Sequence, residues 1–168
     1  MNLSSNTILS HIEISNKLKR IAWQIFENNM DEKQIWVAGI DSRGQFIAKQ
    51  IISELQKISS LGIHQLDIHL DRTTFEPKFL SESDFDALNH SVVVIVDDVM
   101  NSGKTIVSSF MPFLNRGVRK IELAVLASRS HRLYPIKADY VGISMATTLH
   151  ENLLFDNSNP ADLKLILE

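Results

Sequence analysis

The sequence contains no cysteine, which excludes disulfide frameworks, thiolate metal sites and cysteine nucleophiles. It has only 4 prolines and 6 glycines, too few for a collagen-like or low-complexity scaffold. Long apolar runs are missing as well. The unbroken run at residues 92–96 falls far short of the roughly 20 residues that a membrane helix needs. The first residues, MNLSSNTILSHIEIS, lack a basic region followed by an apolar core, so no signal peptide is expected. A strong charge of one sign is also absent. The formal net charge is −3, whereas a protein built mainly to grip phosphate backbones is usually basic. The six histidines form no metal motif: His150-Glu151 would open a zincin signature only with histidine where Leu154 stands.

What is present is ordinary and sufficient. The 168 residues, 44% of them hydrophobic and 22% charged, match an average soluble protein. One domain spanning residues 1–168 is expected, in a cytoplasmic setting. A chain of this length buries about 68–70% of its unfolded surface, so it needs no disulfide or metal to fold.

Ser10-x-x-Glu13 reads as a capping box, and Ile14, Leu18, Ile21 and Ile25 then mark one apolar helical face that ends near Asn28 and Asn29. Residues 35–40 read as a buried strand, and 41–44 as a turn. Phe46, Ile47, Ile51, Leu55 and Ile58 mark a second helix. Leu66, Ile68 and Leu70 alternate with Asp67 and His69 as a half-buried strand. Residues 71–91 are polar and form the longest expected loop, of a length usually tied to function. Residues 92–96, all β-branched, suit a strand covered on both faces, with Asp97 and Asp98 ending it. A helix is expected from Gly103 to about Arg116, kinked or shortened by Pro112. Residues 121–127 form another buried strand, with short late strands at 138–141 and 153–155. Trp23 and Trp36 fall within apolar segments and are expected in the core. His64, His69 and His90 read as surface or strand residues. The alternation of strands and helices indicates an α/β fold around a mostly parallel sheet flanked by helices.

The chemistry concentrates in VVVIVDDVMNSGKT. In open α/β sheets, ligands bind beyond the carboxyl ends of the strands. Here a buried strand delivers two carboxylates to that edge. A loop of small residues and a helix start follow, offering unpaired N–H donors for a phosphate, with the hydroxyls of Ser102 and Thr105 beside them. Carboxylates repel phosphate but accept hydrogen bonds from sugar hydroxyls or hold hydrated Mg²⁺. Acids beside a phosphate cradle therefore point to a sugar phosphate, ribose 5-phosphate especially. A P-loop is the rival. Gly103-Lys104-Thr105 supplies its tail, but the required first glycine is Asp98, so the motif fails.

This segment resembles the phosphoribosyl-pyrophosphate signature of type I phosphoribosyltransferases. Residues 37–44, VAGIDSRG, are similar to the pyrophosphate loop of that group. Within it, residues 121–142, IELAVLASRSHRLYPIKADYVG, resemble the PyrR family, regulators of pyrimidine genes that are also uracil phosphoribosyltransferases. The likeness runs from about residue 8 to 155. It implies a type I phosphoribosyltransferase fold with a small hood, and Mg²⁺-dependent transfer of ribose 5-phosphate from phosphoribosyl pyrophosphate to a nucleobase, uracil first and a purine base second. It implies that Asp97 and Asp98 hold the ribose hydroxyls and, through water or those hydroxyls, the metal. Asn101, Ser102, Gly103, Lys104 and Thr105 would wrap the 5-phosphate. Ser42, Arg43 and Gly44 would hold the pyrophosphate, with Arg43 neutralising its charge, and Arg72 would lie at the base of a closing loop. Lys137, Tyr140 and Val141 would meet the base. A homodimer or higher homo-oligomer follows on the same analogy.

The resemblance also brings forward RNA as a partner. Two basic clusters bear on it, one of Arg129, His131, Arg132 and Lys137 and another of Lys17, Lys19 and Arg20. The second lies on a predicted helix and equally fits a solvated helix face, so RNA is the less favoured expectation.

Overall fold

The computed structural model describes residues 6–71, 73–79, 86–130, 132–148 and 151–168. Within them the chain runs β1 (Asn6–Leu9), α1 (His11–Asn28), β2 (Gln34–Ile40), α2 (Asp41–Ile58), β3 (Gly62–Leu70) and β4 (Pro77–Phe79). After a 3₁₀ turn at Asp86–Leu88 come β5 (Val92–Met100), α3 (Lys104–Leu114), β6 (Lys120–Arg129), β7 (Tyr140–Met145), β8 (Leu153–Asp156) and β9 (Lys164–Leu167).

Six strands form the main sheet in the order β4-β3-β2-β5-β6-β7. Every pair is parallel except the edge pair β3–β4. The β-branched run of β5 alternates between two cores. Val92, Val94 and Val96 pack with α1 and α2, while Val93 and Ile95 pack with Ile106 and Phe113 of α3. Both faces of the sheet are thus covered, which is why its strands read as continuous apolar runs. The start of α1 is fixed as its sequence signature implies: the Glu13 carboxylate accepts from the Ser10 N–H at 2.8 Å and from the Ser10 Oγ at 2.7 Å. Pro112 lies two residues from the end of α3, so the helix stops soon after it.

The hood is a separate antiparallel sheet, β1-β9-β8. Leu9, Leu153, Phe155, Leu163 and Leu165 seat it on the α1–α2 side of the core. Of its three strands only β8 was marked by the sequence pattern. β1 and β9 are four residues each, the same length as β8, and were not marked.

The structure corrects several other expectations. Residues 41–44 are not a free turn. They are the first turn of α2, entered through Asp41 in a left-handed conformation at φ 48°. β5 does not end at Asp97 and Asp98. It continues to Met100, where it still pairs with Ser128 of β6, so the acids lie within a strand whose backbone the neighbour satisfies. The expected loop at 71–91 contains β4, a three-residue edge strand opened by Pro77 opposite Leu70, where a proline is tolerated. The late strand expected at 138–141 runs instead from Tyr140 to Met145. Trp36 is buried, but Trp23 is 43% exposed, because its position on α1 falls outside the Ile14–Ile25 stripe. His64 and His69 are strand residues and His90 is exposed.

Candidate active site

The sheet order reverses between β2 and β5, for β2 continues to β3 on one side while β5 lies on the other. A cavity of about 500 Å³ opens there, at the topological switch point where α/β sheets bind ligands. Three segments build it. The first is the end of β2 with the start of α2, giving Ile40, Asp41, Ser42 and Arg43. The second is the end of β5 through the start of α3. The third is Leu153 and Leu154 of the hood.

Glycines bring these segments together. A Cβ on Gly39 would lie 2.5 Å from the Gln45 Cα, and one on Gly44 would lie 2.7 Å from the Val96 carbonyl oxygen. Their absence lets the first turn of α2 sit directly on β2 and β5. Gly103 caps α3 at φ 86°, with Ile136 packed so close that a Cβ would come within 2.7 Å of its Cγ2. That left-handed residue turns the chain so that the α3 N-terminus faces the cavity.

Asp97 and Asp98 line the cavity side by side. Asp97 is buried, and its Oδ1 accepts from the Asp98 N–H at 2.9 Å. Burial raises the Asp97 carboxyl well above the ordinary aspartate range, with the neighbouring Asp98 and Asp41 charges adding to the effect. Negative charge is thus crowded where a cation or sugar hydroxyls would relieve it. Among the described residues no three acidic or histidine side chains converge to hold a metal unaided. The donor set fits a hydrated Mg²⁺ that shares its coordination with water and a substrate's oxygens.

Of the expected phosphate-binding residues, Asn101, Ser102, Gly103 and Thr105 line the cavity. The Lys104 side chain does not. Its Nζ stands 3.9 Å from the centroid of the Phe75 ring, a cation–π contact that draws it toward the turn after β3. Only the Lys104 backbone remains with the loop, its N–H donating to the Ser102 Oγ at 3.3 Å. Of the expected pyrophosphate-binding residues, Ser42 and Arg43 line the cavity, while Gly44 is buried beneath them as a packing residue.

The expected base-binding residues lie elsewhere. Lys137 and Val141 line a neighbouring hollow of about 140 Å³, with Ser128, Arg132 and Ser144. The Tyr140 side chain is core: it is 2% exposed and its hydroxyl accepts from the Asn28 Nδ2 at 3.0 Å. A buried tyrosine needs such a partner for its phenol, and that engagement removes its side chain from any ligand. Arg72, His131 and His150 lie outside the described residues.

Sequence reasoning missed Asp41, Leu153 and Leu154 as cavity residues. Asp41 fell within the segment likened to the pyrophosphate loop, but by itself it was read only as part of a turn. It accepts from the Leu70 N–H at 3.1 Å, tying the start of α2 to the end of β3. The two leucines come from 50 residues further along the chain and carry no motif.

The basic clusters dissolve in part. Arg129 is 8% exposed and donates to the Thr147 Oγ1, the Asn152 Oδ1 and the Thr148 carbonyl at 2.7, 3.1 and 2.9 Å. Arg20 donates to the Val141 and Gly142 carbonyls at 2.6 and 2.8 Å, fastening α1 to β7. Arg129→Ala is expected to cost about 2–3 kcal/mol in urea unfolding, through acceptors left unpaired near the base of the hood. A change below about 0.5 kcal/mol, the usual range for surface substitutions, would show that Arg129 is not a structural residue.

Comparison with known proteins agrees with this architecture. The family model for the phosphoribosyl transferase domain matches residues 4–152. Proteins named Bifunctional protein PyrR, from Streptococcus pneumoniae strains CGSP14 and TIGR4, are 29% identical over 98% of this chain and 97% of theirs. Among solved structures, a hypoxanthine-guanine phosphoribosyltransferase from Bacillus anthracis superposes with a TM-score of 0.71 at 20% identity. That match covers 83% of this chain and 82% of the other. A hypoxanthine phosphoribosyl transferase from Trypanosoma cruzi gives 0.74 at 14% identity, over 84% and 78%. These neighbours share the type I phosphoribosyltransferase fold.

Proposed function

The chain belongs to the phosphoribosyl transferase domain family, and from that premise we propose that the cavity transfers ribose 5-phosphate from phosphoribosyl pyrophosphate to uracil. The observation that carries this reading is one cleft in which paired Asp97 and Asp98 adjoin a glycine-capped helix start on one side and Ser42-Arg43 on the other.

Each part has a task in displacement at the anomeric carbon. The backbone of residues 101–105, with the Ser102 and Thr105 hydroxyls, anchors the 5-phosphate at the α3 N-terminus. Asp97 and Asp98 accept from the ribose hydroxyls and fix the sugar. Arg43, at the start of α2, faces the pyrophosphate and stabilises the charge that grows on it as it leaves. Asp97 and Asp98 would hold a Mg²⁺ through water or the ribose hydroxyls, and the ion would then add to the neutralisation of that charge. Leu153 and Leu154 of the hood cover the site with apolar surface, which limits water as a competing nucleophile. Arg72 belongs to this reading as a residue at the base of a closing segment. Lys137 and Val141 belong to it as base contacts from the adjoining hollow. Tyr140 enters only through its backbone.

Uracil as the base and a homodimer rest on the likeness to PyrR proteins and their wider family, and a cytoplasmic setting on the chain's average composition. Regulation through RNA is the second reading, and the likeness to proteins named bifunctional leaves room for a second activity. With Arg129 buried and Arg20 donating to β7 carbonyls, its contacts would fall to the exposed Arg132, Lys137 and Lys19. Failure to retain a pyrimidine-operon leader RNA at low salt, with uridine nucleotide present, would exclude it.

Titration calorimetry with phosphoribosyl pyrophosphate and Mg²⁺ tests the binding half of the proposal. Saturable binding is expected, and Lys104→Met should weaken it less than about fivefold, because a side chain leaning on Phe75 contributes no phosphate contact. No binding by the unaltered protein would overturn the assignment of the cavity.

A further inference from the structure

Among the described residues three that are not glycine hold a left-handed backbone: Asp41 at φ 48°, Phe75 at φ 58° and His90 at φ 59°. That conformation is rare for a bulky side chain and persists only where the surroundings over-determine it. His90 belongs to the turn before β5, at the end of the sheet opposite the cavity. Asp41 and Phe75 both lie where the β3–β4 hairpin meets the segments that line the cavity.

The hairpin is fastened at two points besides its sheet pairing. At its base the Asp41 carboxylate accepts from the Leu70 N–H at 3.1 Å, which ties the last residue of β3 to the first residue of α2. At its tip the Phe75 ring lies under the Nζ of Lys104, the first residue of α3, with 3.9 Å from Nζ to the ring centroid. The turn between them is built to deliver that ring. The Asp71 Oδ1 accepts from the Thr73 and Thr74 N–H groups at 2.8 and 3.1 Å. The Phe75 N–H donates to the Asp71 carbonyl at 2.7 Å, and the Asp71 N–H donates to the Glu76 carbonyl at 3.0 Å. The Thr73 and Thr74 donors hold the Asp71 carboxyl below the usual carboxylate range, so the acceptor of the turn stays ionised at neutral pH. Beneath the turn, Leu70 shares one core with Ile40 at the end of β2 and Ile106 in the first turn of α3.

α2 and α3 cover opposite faces of the sheet, and the hairpin reaches from the start of one to the start of the other. In the transfer reading, on which the inference rests, the start of α2 takes the pyrophosphate and the start of α3 takes the 5-phosphate. We infer that the β3–β4 hairpin is a strap that fixes the spacing of these two anion sites, and that Phe75 is a positioning residue for a substrate charged at both ends. Phe75 touches no substrate. It holds Lys104, and through it the first turn of α3, at the distance that lets one molecule reach both sites. A ligand with a single anionic group fills one site and does not sense the spacing.

Titration calorimetry with Mg²⁺ and three ligands is the test. Phosphoribosyl pyrophosphate spans both sites, whereas ribose 5-phosphate and inorganic pyrophosphate fill one each. Phe75→Ala weakens phosphoribosyl pyrophosphate about fivefold, the size of an exposed cation–π contact, and leaves the two shorter ligands unchanged. Phe75→Tyr keeps a ring face for Lys104 and restores the affinity. Lys104→Ala retains its main-chain donor and gives the same loss as Phe75→Ala, and the two losses do not add in the double variant. Equal weakening of all three ligands, additive losses, or an unchanged affinity for phosphoribosyl pyrophosphate in Phe75→Ala overturns the inference while leaving the transfer reading intact. No binding of phosphoribosyl pyrophosphate by the unaltered protein overturns the transfer reading and this inference with it.

Discussion

Asp97→Asn combined with Asp98→Asn is expected to lower transfer by on the order of 10³-fold or more, because two groups that fix the reacting sugar lose their charge together. The same change should not weaken the fold. Asp97 is buried beside two like charges, an arrangement that function retains against stability. Its carboxyl holds a proton more readily in the folded chain than in the unfolded one. The folded state therefore binds more protons between the ordinary aspartate value of 3.8 and its raised native value, so stability falls as pH rises through that window. Glu13, Asp71, Glu151 and Asp156, near the surface, are shifted downward by their hydrogen bonds and act in the opposite sense. The Asp97 contribution is isolated as the difference between the unaltered protein and Asp97→Asn in urea unfolding at several pH values. That difference should move in favour of the asparagine variant as pH rises. Near-normal turnover in the double variant, or a stability difference that does not change with pH, would contradict the account.

Gly39→Ala is expected to be the most damaging single-methyl change near the site. Its Cβ would lie 2.5 Å from the Gln45 Cα, 2.7 Å from the Gln45 nitrogen and 2.9 Å from the Gly44 carbonyl carbon. All three are main-chain atoms, so no side chain can rotate away. The first turn of α2 must lift from β2, at a cost of about 1–3 kcal/mol for overpacking. Because that turn carries Ser42 and Arg43, kcat/KM should fall by about 10²-fold even in the folded fraction, as expected for an ångström-scale misplacement. Gly62→Ala is the matched comparison. Its Cβ would meet the Gln34 Cβ at 3.2 Å and the Lys33 carbonyl oxygen at 3.4 Å, at the exposed start of β3, where a small shift accommodates it and the cost should be much lower. Thermal unfolding and kcat/KM of the two variants decide the matter: equal behaviour would show that the close approach of α2 to β2 does not hold the site.

Much of this was legible in the sequence, for identifiable reasons. The β-branched run of β5 and the stripe on α1 are long enough for period and burial to agree. The Asp97–Thr105 segment is contiguous, so its chemistry could be read without knowing the fold. The remainder depended on contacts across the chain. Asp41 looked like a turn residue because its positive φ is a property of the strand-to-helix junction. Leu153 and Leu154 reach the cavity because β1 and β9, which the sequence pattern did not mark, complete the sheet that holds β8 in place. Lys104 belonged to the motif by position, yet its side chain went to Phe75, a partner that no local rule connects to it. Tyr140 matched a base-binding position, but an aromatic body inside a sheet is drawn to the core, and Asn28 satisfied its hydroxyl there.

The central claim is that this cavity joins a nucleobase to ribose 5-phosphate, and a product assay tests it most directly. The protein is incubated with phosphoribosyl pyrophosphate, Mg²⁺ and a mixture of uracil, hypoxanthine, guanine, xanthine and adenine, and the products are followed by mass spectrometry. The account predicts one rising nucleoside monophosphate, uridine monophosphate, which is lost in the Asp97→Asn, Asp98→Asn variant. Absence of every nucleoside monophosphate, or a product that persists undiminished in that variant, would contradict it.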